Sequence, residues 1–240
     1  MVSESEIVNL RMLIGKASRA VFFGGAGVST ESGIPDFRSQ DGLYRQKYKY
    51  PPEQILSHDF FVGHTAEFYD FYRDKMLCLD AQPNAAHLRL AEWEKEGHLA
   101  AVVTQNIDGL HQKAGSKNVL ELHGSIWRNR CMQCGMPFPV QRIRKGEGVP
   151  RCPCGGIVKP DVVLYGEPLD EQVMDKAVEY IRRADVLIVG GTSLNVYPAA
   201  GLIDFFRGEN IVVINKGALA KDMRGVRFID GKIGEVFSLV

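Results

Sequence analysis

The feature that most constrains the fold of this chain is a glycine-rich segment that follows a short apolar run. Residues 20–23 are apolar, and residues 24–29 read Gly-Gly-Ala-Gly-Val-Ser. A strand that breaks into small residues before a helix leaves backbone N–H groups free to bind a phosphate. The segment therefore favours a nucleotide ligand. Such glycines also let a strand and a helix pack closely with no ligand, so this alternative stays open here.

Apolar runs and helical stretches alternate along much of the chain. The apolar runs end in polar or glycine residues, as do the strands of a parallel sheet that is covered on both faces. This alternation predicts an α/β fold with a doubly wound parallel sheet. The predicted strands are residues 20–23, 99–104, 186–190 and 211–215, and the predicted helices are residues 7–16, 86–96, 170–183 and 197–207, with a further helix after the glycines.

Two segments interrupt the alternation and are predicted to be insertions. Residues 38–80 are rich in tyrosine, phenylalanine and histidine, and residues 125–159 contain four cysteines. We expect the first segment to form a helical module and the second a metal module, which together build one smaller domain. The larger domain would then comprise residues 1–37, 81–124 and 160–240. A cleft between the two domains is the expected active site.

The four clustered cysteines predict a metal site. Cys131 and Cys134 form one tight pair, and Cys152 and Cys154 form another. Four thiolates suit a tetrahedral structural zinc ion, with no position left for a reacting water. The second pair has a one-residue spacer, so Pro153 must bend the chain for both sulfurs to converge. Two reduced pairs without a metal, or a redox pair, remain the alternatives.

Bulk composition limits the partners and the location. The chain has 29 basic and 29 acidic residues, so no net field draws it to nucleic acid or to an anionic membrane. It has no apolar run near the roughly 20 residues that a spanning helix needs, and its acidic N-terminus does not resemble a signal peptide. We expect a cytoplasmic monomer. The remaining cysteine, Cys78, is predicted to be a small buried apolar residue.

Polar side chains follow the predicted strand at residues 99–104. Asn106 and Asp108 lie just beyond its carboxyl end, where open α/β sheets bind ligands, so they are candidates to hold a carboxamide or ribose hydroxyls. An Asx turn that caps the next helix is the alternative. His123 lies at the junction with the metal module and could act as a general base near neutral pH. A structural histidine or a metal ligand is the alternative for His123.

The last two predicted strands end in further hydroxyl and amide side chains. Thr192 and Ser193 suit a phosphate or ribose, and Asn215 could contact an adenosine ribose. Each could instead be ordinary turn chemistry. A dehydrogenase places an acidic residue at a strand end about 20 residues after the glycines. No such residue is present, which disfavours hydride transfer.

Taken in this order, the motifs resemble the sirtuin family of NAD-dependent protein deacylases. The matching segments are residues 25–29, 33–38, 104–108, 122–124, 162–167, 191–194 and 213–215, together with the cysteine pairs. The resemblance implies a Rossmann-like NAD domain with a smaller domain made of a zinc module and a helical module. It also implies removal of an acyl group from lysine, with consumption of NAD and release of nicotinamide and O-acyl-ADP-ribose.

The resemblance also implies roles for individual residues. His123 would be the general base, and Asn106 would join it in catalysis. The implied NAD contacts are Ala26, Thr30, Phe37 and Arg38, then Gln105, Asn106, Ile107, Asp108 and His123 around the ribose and nicotinamide, and Thr192, Ser193, Asn215 and Ile233 towards the phosphates and adenosine.

The implied partner is an acyl-lysine peptide that lies in the cleft as an added strand. Its backbone would pair with residues 163–167 and 195–197, and its contacts would include Val163, Tyr165, Gly166, Glu167 and Val196.

Acyl preference can be judged from one short motif. Family members that prefer succinyl or malonyl groups carry Tyr-x-x-Arg. Here the motif would begin at Tyr69, but Tyr72 stands at the arginine position and Arg73 comes one position late. We therefore expect activity on acetyl and other neutral acyl groups. An ADP-ribosyltransferase and a non-catalytic sensor of NAD or acyl-lysine are the alternatives to deacylation.

Overall fold

A parallel sheet of six strands forms the centre of the larger domain. The computed structural model describes residues 2–37, 42, 48–217 and 226–240. The strands are ordered β3-β2-β1-β7-β8-β9, and every neighbouring pair is parallel. This order confirms the predicted doubly wound sheet. The strands are β1 (Ala20–Gly24), β2 (Leu99–Thr104), β3 (Val119–Glu121), β7 (Val186–Gly190), β8 (Asn210–Asn215) and β9 (Arg227–Asp230).

Helices cover both faces of this sheet, which explains why its central strands are continuously apolar. One face packs against α1 (Glu4–Lys16), α5 (Ala85–Glu96) and α9 (Ile233–Ser238). The other face packs against α8 (Glu171–Arg182) and a 3-10 helix at Ala199–Phe205. A short helix, α6 (Leu110–Ala114), follows β2. Within the described residues, no helix has both the length and the apolar character needed to cross a bilayer.

The smaller domain contains an antiparallel sheet in the order β5-β4-β6 and several short helices. Phe68 and Tyr72, from the first insertion, share one buried cluster with Ile126 and Val158 on the sheet side. The elements are β4 (Gly124–Cys131), β5 (Pro137–Pro139), β6 (Val158–Val162), α2 (Pro52–Ile55), α3 (His58–Gly63), α4 (Thr65–Phe71), a π-helical turn at Tyr72–Met76, and α7 (Gln141–Arg144). The exact domain boundaries stay predictions.

Two predicted helices differ from the structure. The helix expected after the glycines is replaced by two single 3-10 turns, Ala26–Val28 and Thr30–Ser32. Gly33 ends the second turn with φ +81°, and Pro35 disfavours helical backbone in the residue before it. The helix predicted at residues 197–207 is the 3-10 helix Ala199–Phe205. Gly201 lies within that segment and lowers its α-helical propensity.

Candidate active site

A cavity of about 480 Å³ opens at the carboxyl ends of the central strands. Gly24 at the end of β1 pairs with Thr104 of β2 and with Gly190 of β7. The strand order reverses direction at β1, and open α/β sheets bind ligands at such a switch point. The predicted site residues on its wall are Ala26, Phe37, Gln105, Asn106, Ile107, Asp108, His123, Val163, Tyr165, Gly166, Glu167, Thr192, Ser193, Val196 and Asn215.

The glycine-rich turn packs directly against the loop that follows β7. The N–H of Gly27 donates to the carbonyl of Gly191 at 2.8 Å, and a Cβ atom on Gly27 would lie 2.8 Å from Gly191 Cα. The glycines therefore allow a close approach of two backbones. Of the N–H groups of residues 25–29, only that of Ala26 lacks a hydrogen bond within the described chain. The sequence predicts several free N–H groups in this turn, but only one is found among the described residues.

A chain of three hydrogen-bonded polar side chains lines the cavity. Asn106 Nδ2 donates to Ser29 Oγ at 3.0 Å, and Ser29 Oγ donates to Asp108 Oδ2 at 2.7 Å. The other carboxylate oxygen of Asp108 accepts the N–H of Leu110 at 2.8 Å. Burial raises the pKa of Asp108, and these two hydrogen bonds oppose that shift. Ser29 takes the Nδ2 end of the Asn106 amide, and no described residue bonds Asn106 Oδ1, so this oxygen can accept a bond from a ligand.

Ser29 is a site residue that sequence reasoning did not single out. It is almost fully buried and lines the cavity. Its place in the glycine-rich motif was the available signal. Its contact with Asp108 could not be read from the sequence because the two residues are 79 positions apart.

His123 is held in the form that a general base needs. Its Nδ1 lies 3.0 Å from the carbonyl of Gln105. A carbonyl can only accept, so Nδ1 carries the proton and Nε2 is left with its lone pair. Burial lowers the pKa of His123, although the bond to Gln105 opposes the shift, so the ring is neutral at neutral pH. A cavity-lining imidazole in this tautomer can take a proton from a ligand hydroxyl.

Gln105 and Thr192 join the loops that follow β2 and β7. Gln105 Nε2 donates to Thr192 Oγ1 at 3.2 Å, and Thr192 Oγ1 also accepts the N–H of Leu194. Ser193 and Asn215 also line the cavity. The polar strand ends are therefore gathered at one edge of the sheet.

Three of the implied NAD residues do not lie on the described wall. Thr30 is exposed, and its hydroxyl donates to the carbonyl of Gly27, within its own turn. Ile233 is buried in the core on the α1 side of the sheet. Neither side chain lines the described cavity, and their contacts with NAD stay predictions. Arg38 lies outside the described residues.

The segment expected to pair with a peptide is already bonded along one edge. Val163 N–H donates to the carbonyl of His123 at 3.0 Å, and Tyr165 N–H donates to the carbonyl of Leu56 at 2.9 Å. The carbonyl of Tyr165 accepts the N–H of His58 at 2.9 Å. These bonds occupy one edge of the segment, so a peptide would have to pair along the other edge, and its pairing with residues 163–167 stays a prediction.

Glu167 holds this segment in place through its carboxylate. Oε2 accepts the N–H of Leu164 at 2.9 Å and lies 3.0 Å from Lys159 Nζ, while Oε1 lies 3.0 Å from His58 Nδ1. These partners lower the pKa of Glu167 against the effect of burial. The ionised carboxylate thus fastens the segment to β6 and α3.

The residues considered for acyl preference lie away from the described cavity wall. Tyr69 and Tyr72 are fully buried in the smaller domain. The Arg73 guanidinium donates to the carbonyls of Ile143 and Gly148, so its charge is directed into the zinc module. The prediction that Cys78 is buried is wrong, because this residue is only half-buried and lines the cavity.

The four clustered cysteines fit one tetrahedral zinc ion. All four sulfurs lie within 4.8 Å of one another, and two of the pairs are separated by 3.5 and 3.6 Å. Zinc–sulfur bonds of about 2.3 Å in a tetrahedron place sulfurs about 3.8 Å apart. A Cβ atom on Gly156 would lie 2.6 Å from Cys131 Sγ, so glycine is needed beside the cluster. Cys131, Cys134, Cys152 and Cys154 would hold the ion in a structural role.

The fold and the cavity define a nucleotide-binding α/β enzyme that carries a structural zinc module. Comparison with known proteins gives the family. The Sir2 family model matches residues 25–198, and the chain belongs to the Sir2 family.

Three relatives illustrate the similarity. A protein of Clostridium acetobutylicum, named NAD-dependent protein deacetylase, is 56% identical over 244 residues that cover 100% of both chains. A solved Sir2 structure with a p53 peptide and NAD+ has a TM-score of 0.84 and 36% identity, covering 96% of this chain and 95% of the other. A Sir2 complex with an inhibitor, 2'-O-acetyl-ADP-ribose and deacetylated p53 peptide has a TM-score of 0.83 and 35% identity, covering 96% of each. The chain is thus an NAD-dependent protein deacetylase, with NAD+ as co-substrate.

Proposed function

We propose that this enzyme transfers the acyl group of a protein acyl-lysine to ADP-ribose, with release of nicotinamide and O-acyl-ADP-ribose. The observation that carries the proposal is the neutral His123 ring, which lines the cavity together with Asn106 and Asp108 and whose Nε2 keeps its lone pair. A base in this state suits removal of a proton from a ribose hydroxyl. The clustered free cysteines suit a reducing compartment, so the proposal includes a cytoplasmic site of action.

In this proposal the Asn106–Ser29–Asp108 chain on the cavity wall binds the nicotinamide end of NAD. Asn106 Oδ1 would accept from the carboxamide, and Ser29 fixes the orientation of the Asn106 side chain. The wall that contains Thr192, Ser193 and Asn215 would hold the phosphates and adenosine. Phe37 lines the cavity and would keep water from the reacting carbon.

The acyl-lysine substrate would enter between the two domains as an added strand. Tyr165 and Tyr197 are both exposed and line the cavity, and Gly166 and residues 195–197 would supply the backbone partners. Such pairing gives affinity through main-chain hydrogen bonds and leaves the flanking side chains of the peptide largely unread. Val163 and Val196 would contact the apolar stem of the acyl-lysine.

An acyl-peptide panel tests the reaction. We expect acetyl and propionyl groups to be lost from a lysine peptide only when NAD is present, as measured by mass spectrometry. A succinyl peptide should react poorly, because Arg73 is bonded to the carbonyls of Ile143 and Gly148. Acyl loss without NAD, or no loss at all, would contradict the proposal. Adenylate label left on protein would favour ADP-ribosyl transfer, and binding without nicotinamide release would favour a sensor.

Glu167→Gln should raise the KM for the acyl peptide by roughly tenfold, because the amide cannot neutralise Lys159 and the segment loses a charge-assisted bond. The KM for NAD should stay near that of the wild type. Steady-state kinetics with each substrate varied in turn measures both values. Glu53→Gln, the same change at an exposed residue of α2, is the control and should change neither. An unchanged peptide KM in Glu167→Gln would show that the carboxylate does not position the segment.

A further inference from the structure

We propose that Asn84, which does not line the cavity, is a positioning residue for the nicotinamide end of the site. It acts through the turn that carries Ser29. The inference rests on the proposed function, because it assigns the task of the Asn106–Ser29–Asp108 chain to nicotinamide. Asn84 directly precedes α5, and its side chain is half-buried behind the glycine-rich turn.

The two ends of the Asn84 amide do different work. The oxygen accepts the N–H of Ala86 at 2.9 Å, which caps α5. The nitrogen donates to the carbonyl of Val28 at 2.8 Å and to Ser32 Oγ at 3.0 Å. Both of these partners lie in the short segment that holds Ser29. The amide nitrogen therefore holds the turn from a position outside the described cavity wall.

The backbone of Asn84 is fixed in turn by a buried histidine. Its N–H lies 3.3 Å from His87 Nδ1. Burial lowers the pKa of His87 to about 4, so the ring is neutral and Nδ1 can accept. The His87 ring packs against that of His111, with centroids 4.7 Å apart. His111 lies on α6, which begins at Leu110, and Leu110 bonds to Asp108.

These contacts connect the start of α5 to both partners of the Ser29–Asp108 hydrogen bond. Asn84 bonds the segment that carries Ser29, and the packed histidines bring α5 against α6, which follows Asp108. Ser29 and Asp108 meet at 2.7 Å. A shift of the turn would lengthen this bond and turn the Asn106 amide with it.

A cap alone would need only an acceptor, and aspartate caps helices about as well as asparagine. A carboxylate cannot donate to the carbonyl of Val28, so Asn84→Asp keeps the cap of α5 and removes the link to the turn. Asn118→Asp is a matched control. The Asn118 amide also donates to a backbone carbonyl, that of Ala100, but it lies outside the described cavity wall.

The test compares these two variants with the wild type. We expect Asn84→Asp to weaken NAD binding by roughly tenfold in a calorimetric titration and to raise the concentration of nicotinamide needed for half-inhibition. The KM for the acyl peptide should be unchanged, and Asn118→Asp should resemble the wild type in all three measurements. Asn84→Ser, which also caps but is too short to reach Val28, should repeat the result if the aspartate variant folds poorly.

The outcomes separate this inference from the proposed function. NAD affinity equal to that of the wild type in both Asn84 variants would overturn the inference. A rise in the KM for the acyl peptide as large as the loss of NAD affinity would also overturn it. The calorimetric titration does not depend on turnover. It therefore reports on Asn84 even if the wild type fails to deacetylate the peptide panel.

Discussion

His123→Ala is expected to lower kcat by roughly 10²- to 10⁴-fold, the usual contribution of a positioned general base. NAD should still bind, because the Asn106–Ser29–Asp108 chain does not involve the imidazole. Single-turnover kinetics and a calorimetric NAD titration measure the two effects separately. Turnover close to that of the wild type would remove His123 from the base role.

His98→Ala is the matched control for this variant. His98 Nδ1 lies 3.1 Å from the carbonyl of Ala17, so this change also removes a histidine bonded to a backbone carbonyl, but His98 lies outside the described cavity wall. Turnover should persist.

The pH profile gives a second readout of the same group. The neutral form of His123 is the active one, so kcat/KM, which reports the free enzyme, should rise with pH through its pKa and then level off. Because burial lowers that pKa, the midpoint of the rise should lie at a pH below about 6.5, the ordinary pKa of histidine. His123→Ala should lose this acidic limb.

The parallel sheet could be predicted from sequence because each central strand is buried on both faces. Such strands are continuous apolar runs, and the segment at Val186–Gly190 was located without error. The edge strands β3 and β9 were missed, since both are short and partly exposed. The turns after β1 were mistaken for a helix because glycines at a strand end suit either structure. The backbone of the β7 loop, which decides between them, is distant in sequence.

In the site too, features set by neighbouring residues could be predicted, and contacts between residues far apart in sequence could not. The polar residues after each strand were identifiable because their chemistry follows from their position at a strand end. Their arrangement into a chain was not, since it needs Ser29 to meet Asp108. The direction of Arg73 also depends on carbonyls about 70 positions away. Which backbone groups of residues 163–165 are already bonded depends on His123, Leu56 and His58, which are distant in sequence.

Loss of the zinc module should have the largest effect on folding. Cys131→Ser is expected to abolish zinc binding and to unfold the smaller domain, since structural zinc contributes about 10–16 kcal/mol in zinc-finger peptides. The loss should spread beyond the metal. Cys131 and Cys152 belong to the same buried cluster as Phe61 and Tyr69, and Tyr69 donates to the carbonyl of Val158 at 2.6 Å. Metal analysis and circular dichroism in the aromatic region measure the two effects.

Cys78→Ser is the natural control, because Cys78 is a cysteine outside the metal cluster. It should keep one zinc ion per chain and the aromatic signal of the wild type. In Cys131→Ser the far-ultraviolet signal of the larger domain should largely persist, since its two core clusters contain none of the four cysteines. Zinc retained in full by Cys131→Ser would mean that the sulfurs do not share one ion. Zinc lost with an unchanged aromatic signal would mean that the hydrophobic cluster alone holds the smaller domain together.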